Sequence, residues 1–385
     1  MVKMTEFYGY ERDDGKVGIR NHVVVIPVDD LSNAAAVGVS QLVRGAIAVP
    51  HPYGRLQFGK DLQLLFHNLI GLGKNPNVAA AIIIGIDPKW AQNIADQIAK
   101  SKPAEAFWVE GSGDLKTIEA ASKKAKDFVQ YASEKSRKTY DLSALTLSIK
   151  CGESDTTSGL AANPALGGVV DRLIDEGSTV LFGETSELTG AENLVASRFT
   201  DQRARDKFLS IFNEYTEIIK SQGVDLLGSQ PTEGNIAGGL STIEEKALGN
   251  IQKLGKRPIV DALDYLDNVT KRGLNFVNTS SAAAEALTLF NAKGSVLHFF
   301  TTGQGNIVGH PTMPVIKVSG NPKTVKTMSE HIDVDVSGLL KMGINLDQAV
   351  DLIYSMMVKT LNGRLTSSEV LGHVEFSPIK LYVSA

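Results

Sequence analysis

The segment at residues 183–192, GETSELTGAE, carries three carboxylates close together in the sequence. Glu184 and Glu187 follow a predicted apolar strand at residues 179–182, which puts them at the carboxyl end of that strand. Carboxylates in this position can ligate a hard cation, or act as the acid and base of a proton transfer. They can equally cap the helix that follows, because its first amides attract negative charge. The segment therefore indicates either a reactive centre or a helix cap.

A single histidine, His51, stands in a turn with Pro52 and Gly54, directly after a short predicted strand at residues 46–50. A histidine at such a place can bind a metal ion or carry a proton at neutral pH. A histidine in a loop can also be ordinary polar surface. His298 lies among apolar residues in a predicted strand, so we expect it to be structural. His310, between Gly309 and Pro311, is a weaker candidate.

A loop rich in hydroxyl groups, CGESDTTSG at residues 151–159, precedes a predicted helix. Ser154, Asp155 and Ser158 could arrange this loop so that the first amides of the helix bind an anionic group of a substrate. The alternative is ordinary capping of the helix by the same side chains. Asn235, next to Gly238-Gly239, and Lys246, near the start of another helix, are further candidates for substrate contacts.

Strands and helices alternate through both halves of the chain and would position these loops. In the first half, strands are predicted at residues 23–28, 46–50, 78–84 and 107–109, with helices between them at 32–45, 61–71, 89–100 and 115–133. Later strands are predicted at 144–149, 179–182, 274–277, 295–300 and 315–318. Such alternation is typical of parallel pairing, with ligands beyond the carboxyl ends of the strands. We predict an α/β protein of two domains, residues 1–138 and 139–385, each with a mainly parallel sheet flanked by helices.

Composition excludes several classes of function. The 385 residues have a formal net charge of -4, with both signs dispersed, so neither nucleic acid nor an acidic membrane is an expected partner. Cys151 is the single cysteine, which excludes an internal disulfide and an iron–sulfur cluster. The chain has no Gly-x-Gly-x-x-Gly turn after the first strand and no phosphate-binding Gly-Lys-Ser/Thr loop, so no nucleotide cofactor is expected. Residues 1–11 are polar, which predicts a cytoplasmic protein without a signal peptide.

A series of short blocks runs in one order along nearly the whole chain. The blocks are residues 8–21 (YGYERDDGKVGIRN), His51-Pro52, Ser154-Asp155 with Ser158-Gly159, residues 162–165 (ANPA), Gly183-Glu184-Thr185 with Glu187, Gly190-Ala191-Glu192, Gly234-Asn235, residues 238–240 (GGL), residues 244–246 (EEK), and Thr301-Thr302-Gly303 with Gly305. This ordered set resembles the altronate/galactarate dehydratase family.

The resemblance implies a lyase that acts on a hydroxy acid. Most members dehydrate aldonic or aldaric acids to 2-keto-3-deoxy acids with a divalent metal, usually iron or manganese, and magnesium is also possible here. A hydro-lyase acting on an altronate- or galactarate-like acid is therefore the first expectation. One branch of the family instead eliminates sulfite from (2R)-sulfolactate. Some members have a small β-rich domain as a separate subunit, so such a partner is possible, and a homo-oligomer is expected.

The resemblance also assigns roles to residues. It implies His51, Asp87 and Glu184 as metal ligands, and Glu184, His51 and Glu187 as catalytic groups. Substrate contacts are expected from Ser154, Asp155, Ser158, Asn163, Asn235 and Lys246.

The chain departs from the family pattern at several positions. Leu31, Arg55 and Ile86 stand where the family commonly has cysteines, and Gln304 stands where an arginine is common. The loss of three thiols together indicates a changed metal site, and Arg55 would repel a cation. Two interpretations remain open. The enzyme may use only oxygen and nitrogen ligands, such as His51, Asp29, Asp30 or Glu184, or the chain may be a diverged binding subunit without catalysis.

Overall fold

A computed structural model describes residues 5–223 and 231–384 and confirms an α/β fold. The strands are β1 (Glu6–Glu11), β2 (Val17–Gly18), β3 (His22–Pro27), β4 (Ala46–Ala48), β5 (Val78–Gly85), β6 (Ala104–Trp108), β7 (Lys138–Asp141), β8 (Thr146–Gly152), β9 (Thr179–Phe182), β10 (Ile259–Leu263), β11 (Gly273–Val277), β12 (Leu297–Thr302), β13 (Val315–Ser319) and β14 (Val334–Asp335). The helices are α1 (Asn33–Leu42), α2 (Gly59–Lys74), α3 (Pro88–Ala99), α4 (Asp114–Ser133), α5 (Asn163–Asp175), α6 (Glu192–Ala196), α7 (Gln202–Ser221), α8 (Glu233–Ala237), α9 (Ile243–Asn250), α10 (Ala283–Ala292), α11 (Pro322–Thr327), α12 (Leu346–Leu361) and α13 (Ser367–Val370). Within the described ranges, none of these helices combines the length and apolarity needed to cross a membrane.

The first domain is built on a parallel four-stranded sheet in the order β4-β3-β5-β6. Its central strand β5 is buried along its whole length, as its continuous apolar sequence predicts. Val78, Ala81 and Ile83 pack on one face in a core that includes residues of α2 and α3, whereas Ile82 and Ile84 join α1 and α4 on the other. Burial on both faces explains why the strand lacks alternating polar residues.

The second domain contains a parallel seven-stranded sheet in the order β10-β11-β9-β8-β12-β13-β14. The chain leaves β8 for β9 on one side, and later returns to place β12 on the other side of β8. The strand order therefore reverses at β8, and the loops after β8 and β12 diverge there. A ligand crevice is expected beyond the carboxyl ends of strands at such a reversal.

A third, antiparallel sheet was not predicted from the sequence. β1 pairs with β2 on one side and with β7 on the other. β7 lies within residues 133–141. The charged sequence of this segment had predicted a linker between the domains. Because β7 begins at residue 138 and pairs back onto β1, strand pairing does not locate the domain boundary, and the limits 1–138 and 139–385 stay a prediction.

The side chain of Asn77 connects the two domains through four hydrogen bonds. Its Oδ1 accepts from the backbone N–H groups of Ile19 and Arg20 at 2.8 and 3.2 Å. Its Nδ2 donates to the carbonyl oxygens of Val296 and Thr312, each at 2.8 Å. The amide thus satisfies backbone groups from both sides in a fully buried position.

We predict that Asn77→Ala lowers the free energy of unfolding by at least about 2 kcal/mol, because it leaves buried backbone groups of both domains without partners. The urea midpoint of unfolding measures the change. Asn93→Ala, at an exposed position on α3, is the matched control and should leave the midpoint close to that of the parent protein. Equal midpoints for the two variants would contradict the role given to Asn77.

Candidate active site

A buried carboxylate held between two ammonium groups lies at the carboxyl edge of the seven-stranded sheet. Glu184 follows β9, and its Oε1 accepts a hydrogen bond from Lys150 Nζ of β8 at 2.9 Å. Its Oε2 lies 2.7 Å from the Nζ of Lys253, which belongs to a 3-10 turn, Ile251–Leu254, after α9. All three side chains are almost completely excluded from solvent. The ion triad therefore joins two neighbouring strands and a helical turn.

The charges of this triad support one another. Burial alone would raise the pKa of Glu184, but Lys150 and Lys253 outweigh it and hold that pKa below its usual value. Burial likewise opposes the charge on Lys150, yet Glu184 and Glu187 raise the pKa of its ammonium group. Glu184 is therefore an ionised carboxylate whose two oxygens are both engaged.

A second buried pair lies beside the triad. The Nζ of Lys246 on α9 is 3.4 Å from Oε1 of Glu187, which sits in the 3-10 turn Thr185–Leu188. In the part of the chain that the structure describes, Oε2 of Glu187 is buried and has no hydrogen-bond partner. We call these five residues, Lys150, Glu184, Glu187, Lys246 and Lys253, the lysine–glutamate cluster. Its three ammonium groups exceed its two carboxylates by one, so it favours an anionic ligand.

A cavity of about 610 Å³ adjoins the cluster. Lys246 lines it, and so does Asn250, whose Oδ1 accepts a hydrogen bond from Lys253. Of the residues predicted to contact the substrate, five line this one cavity: Ser154, Asp155, Ser158, Asn163 and Lys246. The cavity has the size of a small-molecule site. The structure thus gathers these candidates around one space, although their contact with a substrate stays a prediction.

The hydroxyl-rich loop after β8 is held in place by its own side chains. Asp155 Oδ1 accepts from the backbone N–H of Ser158 at 3.0 Å, and Ser158 Oγ accepts from the N–H of Asp155 at 3.2 Å. Asp155 Oδ2 accepts from Asn321 Nδ2 at 2.7 Å. A π-helical turn, Ser158–Ala162, then leads directly into α5. Asp155 and Ser158 therefore shape the start of a helix, and the N–H of Ser158 is already bound by the carboxylate of Asp155.

Asn163 and Asn235 brace the same loop. Asn163 accepts a hydrogen bond from Thr301 Oγ1 at 2.6 Å and donates one to the carbonyl of Gly249 at 2.9 Å, which ties α5 to β12 and α9. Asn235 is not part of the cavity lining, but its Nδ2 donates to the carbonyl of Ser154 at 2.8 Å. Its part is therefore to position Ser154.

Two glutamates at this edge have left-handed backbone conformations. Glu153 has φ 50° directly after β8, and Glu184 has φ 66° after the neighbouring β9. A side chain other than glycine is disfavoured in this region, at a cost of about 1–3 kcal/mol for each residue. Such strain concentrates where surrounding contacts impose it, and here it marks the loops around the cluster.

The described residues do not bring the predicted metal ligands His51, Asp87 and Glu184 together, so the divalent metal stays a prediction. Across residues 5–223 and 231–384, the structure has no group of three or more His, Cys, Asp or Glu side chains that could hold a metal ion. Both oxygens of Glu184 are engaged by lysines. Asp87 caps α3, accepting from the N–H groups of Lys89 and Trp90 at 2.7 and 3.1 Å.

His51 is buried in the first domain rather than exposed in a turn. Its Nε2 lies 2.9 Å from the carbonyl oxygen of Pro27, and its Nδ1 accepts from the N–H of Tyr53 at 3.3 Å. Burial lowers the pKa of the ring below its usual value. Asp29, the other proposed ligand in this region, accepts from Ser32 and from the N–H of Ile86. These donors do not fit a cation, and no chemical step is assigned to a metal here.

The sequence interpretation missed Lys150 and Lys253. Lys150 stands in the middle of β8, in the apolar sequence TLSIKCG, where a strand buried on both faces demands a partner for the charge. Lys317 in β13 repeats the pattern, and burial lowers its pKa to about 7. A lysine inside a predicted central strand was therefore the available signal. Lys253 offered no such signal, because a lysine between Gln252 and Leu254 is typical of an ordinary amphipathic helix.

Two protein-family models match separate ranges of this chain. Residues 142–384 match the model of the D-galactarate/altronate dehydratase C-terminal region, and residues 9–133 match that of the D-galactarate dehydratase/altronate hydrolase second domain. The chain therefore belongs to the D-galactarate/altronate dehydratase family, whose members are lyases and dehydratases.

Individual relatives differ widely in similarity. The chain is 57% identical over 387 residues, covering all of both chains, to a protein of Chromohalobacter salexigens named (2R)-sulfolactate sulfo-lyase subunit beta. It is 27% identical to the altronate dehydratase of Bacillus subtilis, over 94% of this chain and 75% of that protein. The galactarate dehydratase (L-threo-forming) of Escherichia coli is 33% identical over 55% of this chain and 40% of its own length.

We predict that Glu184→Gln lowers the free energy of unfolding by about 3–5 kcal/mol at pH 7, because two buried ammonium groups lose their counter-ion. The pKa of Glu184 is lowered on folding, so its contribution is complete above the usual value of 4.5 and is lost as the pH falls through the folded value. The difference in the free energy of unfolding between parent and variant should therefore become smaller below about pH 4.5. Urea unfolding at pH 7 and pH 4 measures it.

Glu119→Gln is the control for this experiment, because Glu119 forms an exposed ion pair with Lys123 on α4. It should change stability little at either pH. A gap for Glu184→Gln that is the same at both pH values would contradict an ionised Glu184.

Proposed function

We propose that the chain is the large, catalytic subunit of a lyase that eliminates sulfite from (2R)-sulfolactate. The observation that carries the proposal is the 57% identity, over the full length of both chains, to a protein named as a subunit of that enzyme. The excess positive charge of the lysine–glutamate cluster supports an acid as substrate, and Lys246 brings part of that charge into a cavity lining that also contains Asp155, Glu244 and Glu245.

The elimination requires a base and stabilisation of negative charge. A base removes the proton from C2, next to the carboxylate, and the C–H electron pair forms the C2=C3 bond. The C3–S bond breaks and its electron pair leaves on sulfur as sulfite. The remaining enol takes a proton at C3, loses the proton of its C2 hydroxyl group and becomes pyruvate. Positive charge near the carboxylate stabilises the electron density that develops when the C2 proton is removed.

The lysine–glutamate cluster offers separate groups for these tasks. Glu187 is our candidate for the base, because one of its buried oxygens is not engaged by any described residue. Lys246 lines the cavity and lies next to Glu187, so its ammonium group is placed to attract the substrate carboxylate. Glu184 becomes a positioning residue that holds Lys150 and Lys253. We assign the other anionic group, the sulfonate, to the loop of Ser154 and Ser158, which line the same cavity.

Dehydration of a sugar acid is the second candidate, supported by the relatives at 27–33% identity. It starts with the same proton removal but expels hydroxide, which needs an acid to protonate it. Sulfite leaves with its electron pair and needs no such proton. The two candidates therefore differ in their demand for a general acid beside the leaving group.

A separate small subunit is part of the proposal, because the similar Chromohalobacter protein is named as subunit beta. The chain purified alone is then expected to have lower activity than the same chain isolated together with its partner. Full activity of the isolated chain would remove the partner from the proposal.

We predict that the active protein releases sulfite and pyruvate in equal amounts from (2R)-sulfolactate, and that Glu187→Gln reduces turnover by at least about 10²-fold through loss of the base. Trapping of sulfite with a thiol-reactive dye measures the first product, and a coupled reduction of pyruvate measures the second. Glu192→Gln is the control, because Glu192 lies in the same segment but bonds the backbone of Gly190.

Parallel assays with altronate and galactarate separate the candidates. Water loss from either acid without sulfite release from sulfolactate would favour the dehydratase. Turnover of none of the three acids by the protein with its partner would favour a binding subunit. Full activity of Glu187→Gln would end the assignment of Glu187 as the base.

A further inference from the structure

A second cavity, of about 350 Å³, lies at the opposite edge of the seven-stranded sheet. It is lined by the beginnings of β8 and β9, by Thr146 and Thr179, and by the loops that precede β11 and β12. The end of α2 in the first domain forms the facing wall. The cavity is therefore shared by both domains and is separate from the proposed active site, which lies at the carboxyl ends of the same strands.

The lining of this cavity is strongly basic. It includes Lys16, Lys74, Lys271, Arg272 and Lys293, and no Asp or Glu belongs to it. His67 also lines it, but burial and the charge of Lys293 lower its pKa to about 4, so its ring is neutral at pH 7. Two of these cations already form ion pairs. Lys16 pairs with Asp14 at 3.5 Å, and Lys271 lies 3.6 and 3.7 Å from Asp201 and Asp261.

Lys293 also has a structural task, because its Nζ donates to the carbonyl oxygens of Asp264, Tyr265 and Asp267. It fixes the loop that forms one wall of the cavity.

Three groups in the lining have unused hydrogen-bonding capacity among the described residues. Lys74 and Arg272 have neither a hydrogen bond nor an ion pair from their side chains there. His67 Nε2 is buried without a hydrogen-bond partner. Burial and the nearby charges of Lys100 and Lys16 lower the pKa of Lys74, although Asp14 opposes them. The half-buried Lys74 and the exposed Arg272 therefore keep side-chain donors that no described residue engages.

We propose that this cavity binds a small, multiply charged phosphate compound that bridges the two domains. An arginine offers paired donors that match two oxygens of a tetrahedral anion, and a lysine adds a compact charge. The volume exceeds that of a single phosphate, so a diphosphate or a phosphorylated metabolite fits better than an isolated ion. Because the cavity lies across the sheet from the lysine–glutamate cluster, the ligand acts on stability or regulation and takes no part in the elimination.

Isothermal titration of the complete protein with inorganic pyrophosphate tests the proposal, with inorganic phosphate and sulfate as weaker probes at matched ionic strength. Saturable binding of pyrophosphate to one site per chain is expected. Arg272→Gln and Lys74→Gln should each weaken it about tenfold or more, as for the loss of a charged hydrogen bond. Lys341→Gln, at an exposed lysine outside the cavity, is the control and should bind like the parent.

Three results would contradict the proposal. Binding that is absent, that follows ionic strength alone, or that survives both substitutions unchanged would rule out this site. Titration with (2R)-sulfolactate is a further test. If it binds here more tightly than pyrophosphate, and Arg272→Gln abolishes that binding, the cavity serves a sulfonated acid and the phosphate assignment is wrong. Sulfite release by Arg272→Gln should match that of the parent, which separates this site from the proposed active site.

Discussion

The buried contact of Glu184 with Lys150 and Lys253 is the interaction on which the candidate site depends. Each of these ions loses most of its hydration on burial, so the arrangement is stable only if the three charges stay together. The contact joins β8, the turn after β9 and the turn after α9. It thereby places α9, and with it Lys246, beside the hydroxyl-rich loop after β8. The pair of Lys246 with Glu187 and the hydrogen bonds of Asn163 support the same arrangement.

The two edges of the large sheet have different tasks. Its carboxyl edge carries strained loops, ionised side chains and a cavity. Its amino edge joins the domains, where Asn77 satisfies backbone groups from both sides. This division follows from parallel topology, because every strand begins at one edge and ends at the other. Loops at the carboxyl edge can therefore differ in sequence to suit a reaction, while contacts at the amino edge hold the two domains together.

Much of the fold could be predicted because β5 and β9 are apolar runs, and β8 is a mainly apolar strand, each followed by a polar loop. The loop after β8 was found for the same reason. The contacts of the predicted metal ligands could not be predicted, because a sequence shows which polar groups end a strand but not which neighbours satisfy them. Asp87 caps its own helix, and His51 bonds the carbonyl of Pro27. β7 was missed because it is short and charged, and its partner β1 lies more than a hundred residues earlier.

The contrast between Glu184 and Glu187 bears directly on function. A glutamate that only stabilises a fold is expected to have its buried oxygens satisfied, as those of Glu184 are. Glu187 keeps one buried oxygen without a described partner, at a cost of about 1–3 kcal/mol. The neighbouring Lys246 keeps that carboxylate near a positive charge, so the open oxygen is available to a substrate proton without the group being isolated. The proposal of Glu187 as the base therefore rests on an unsatisfied carboxylate oxygen next to Lys246, which lines the cavity.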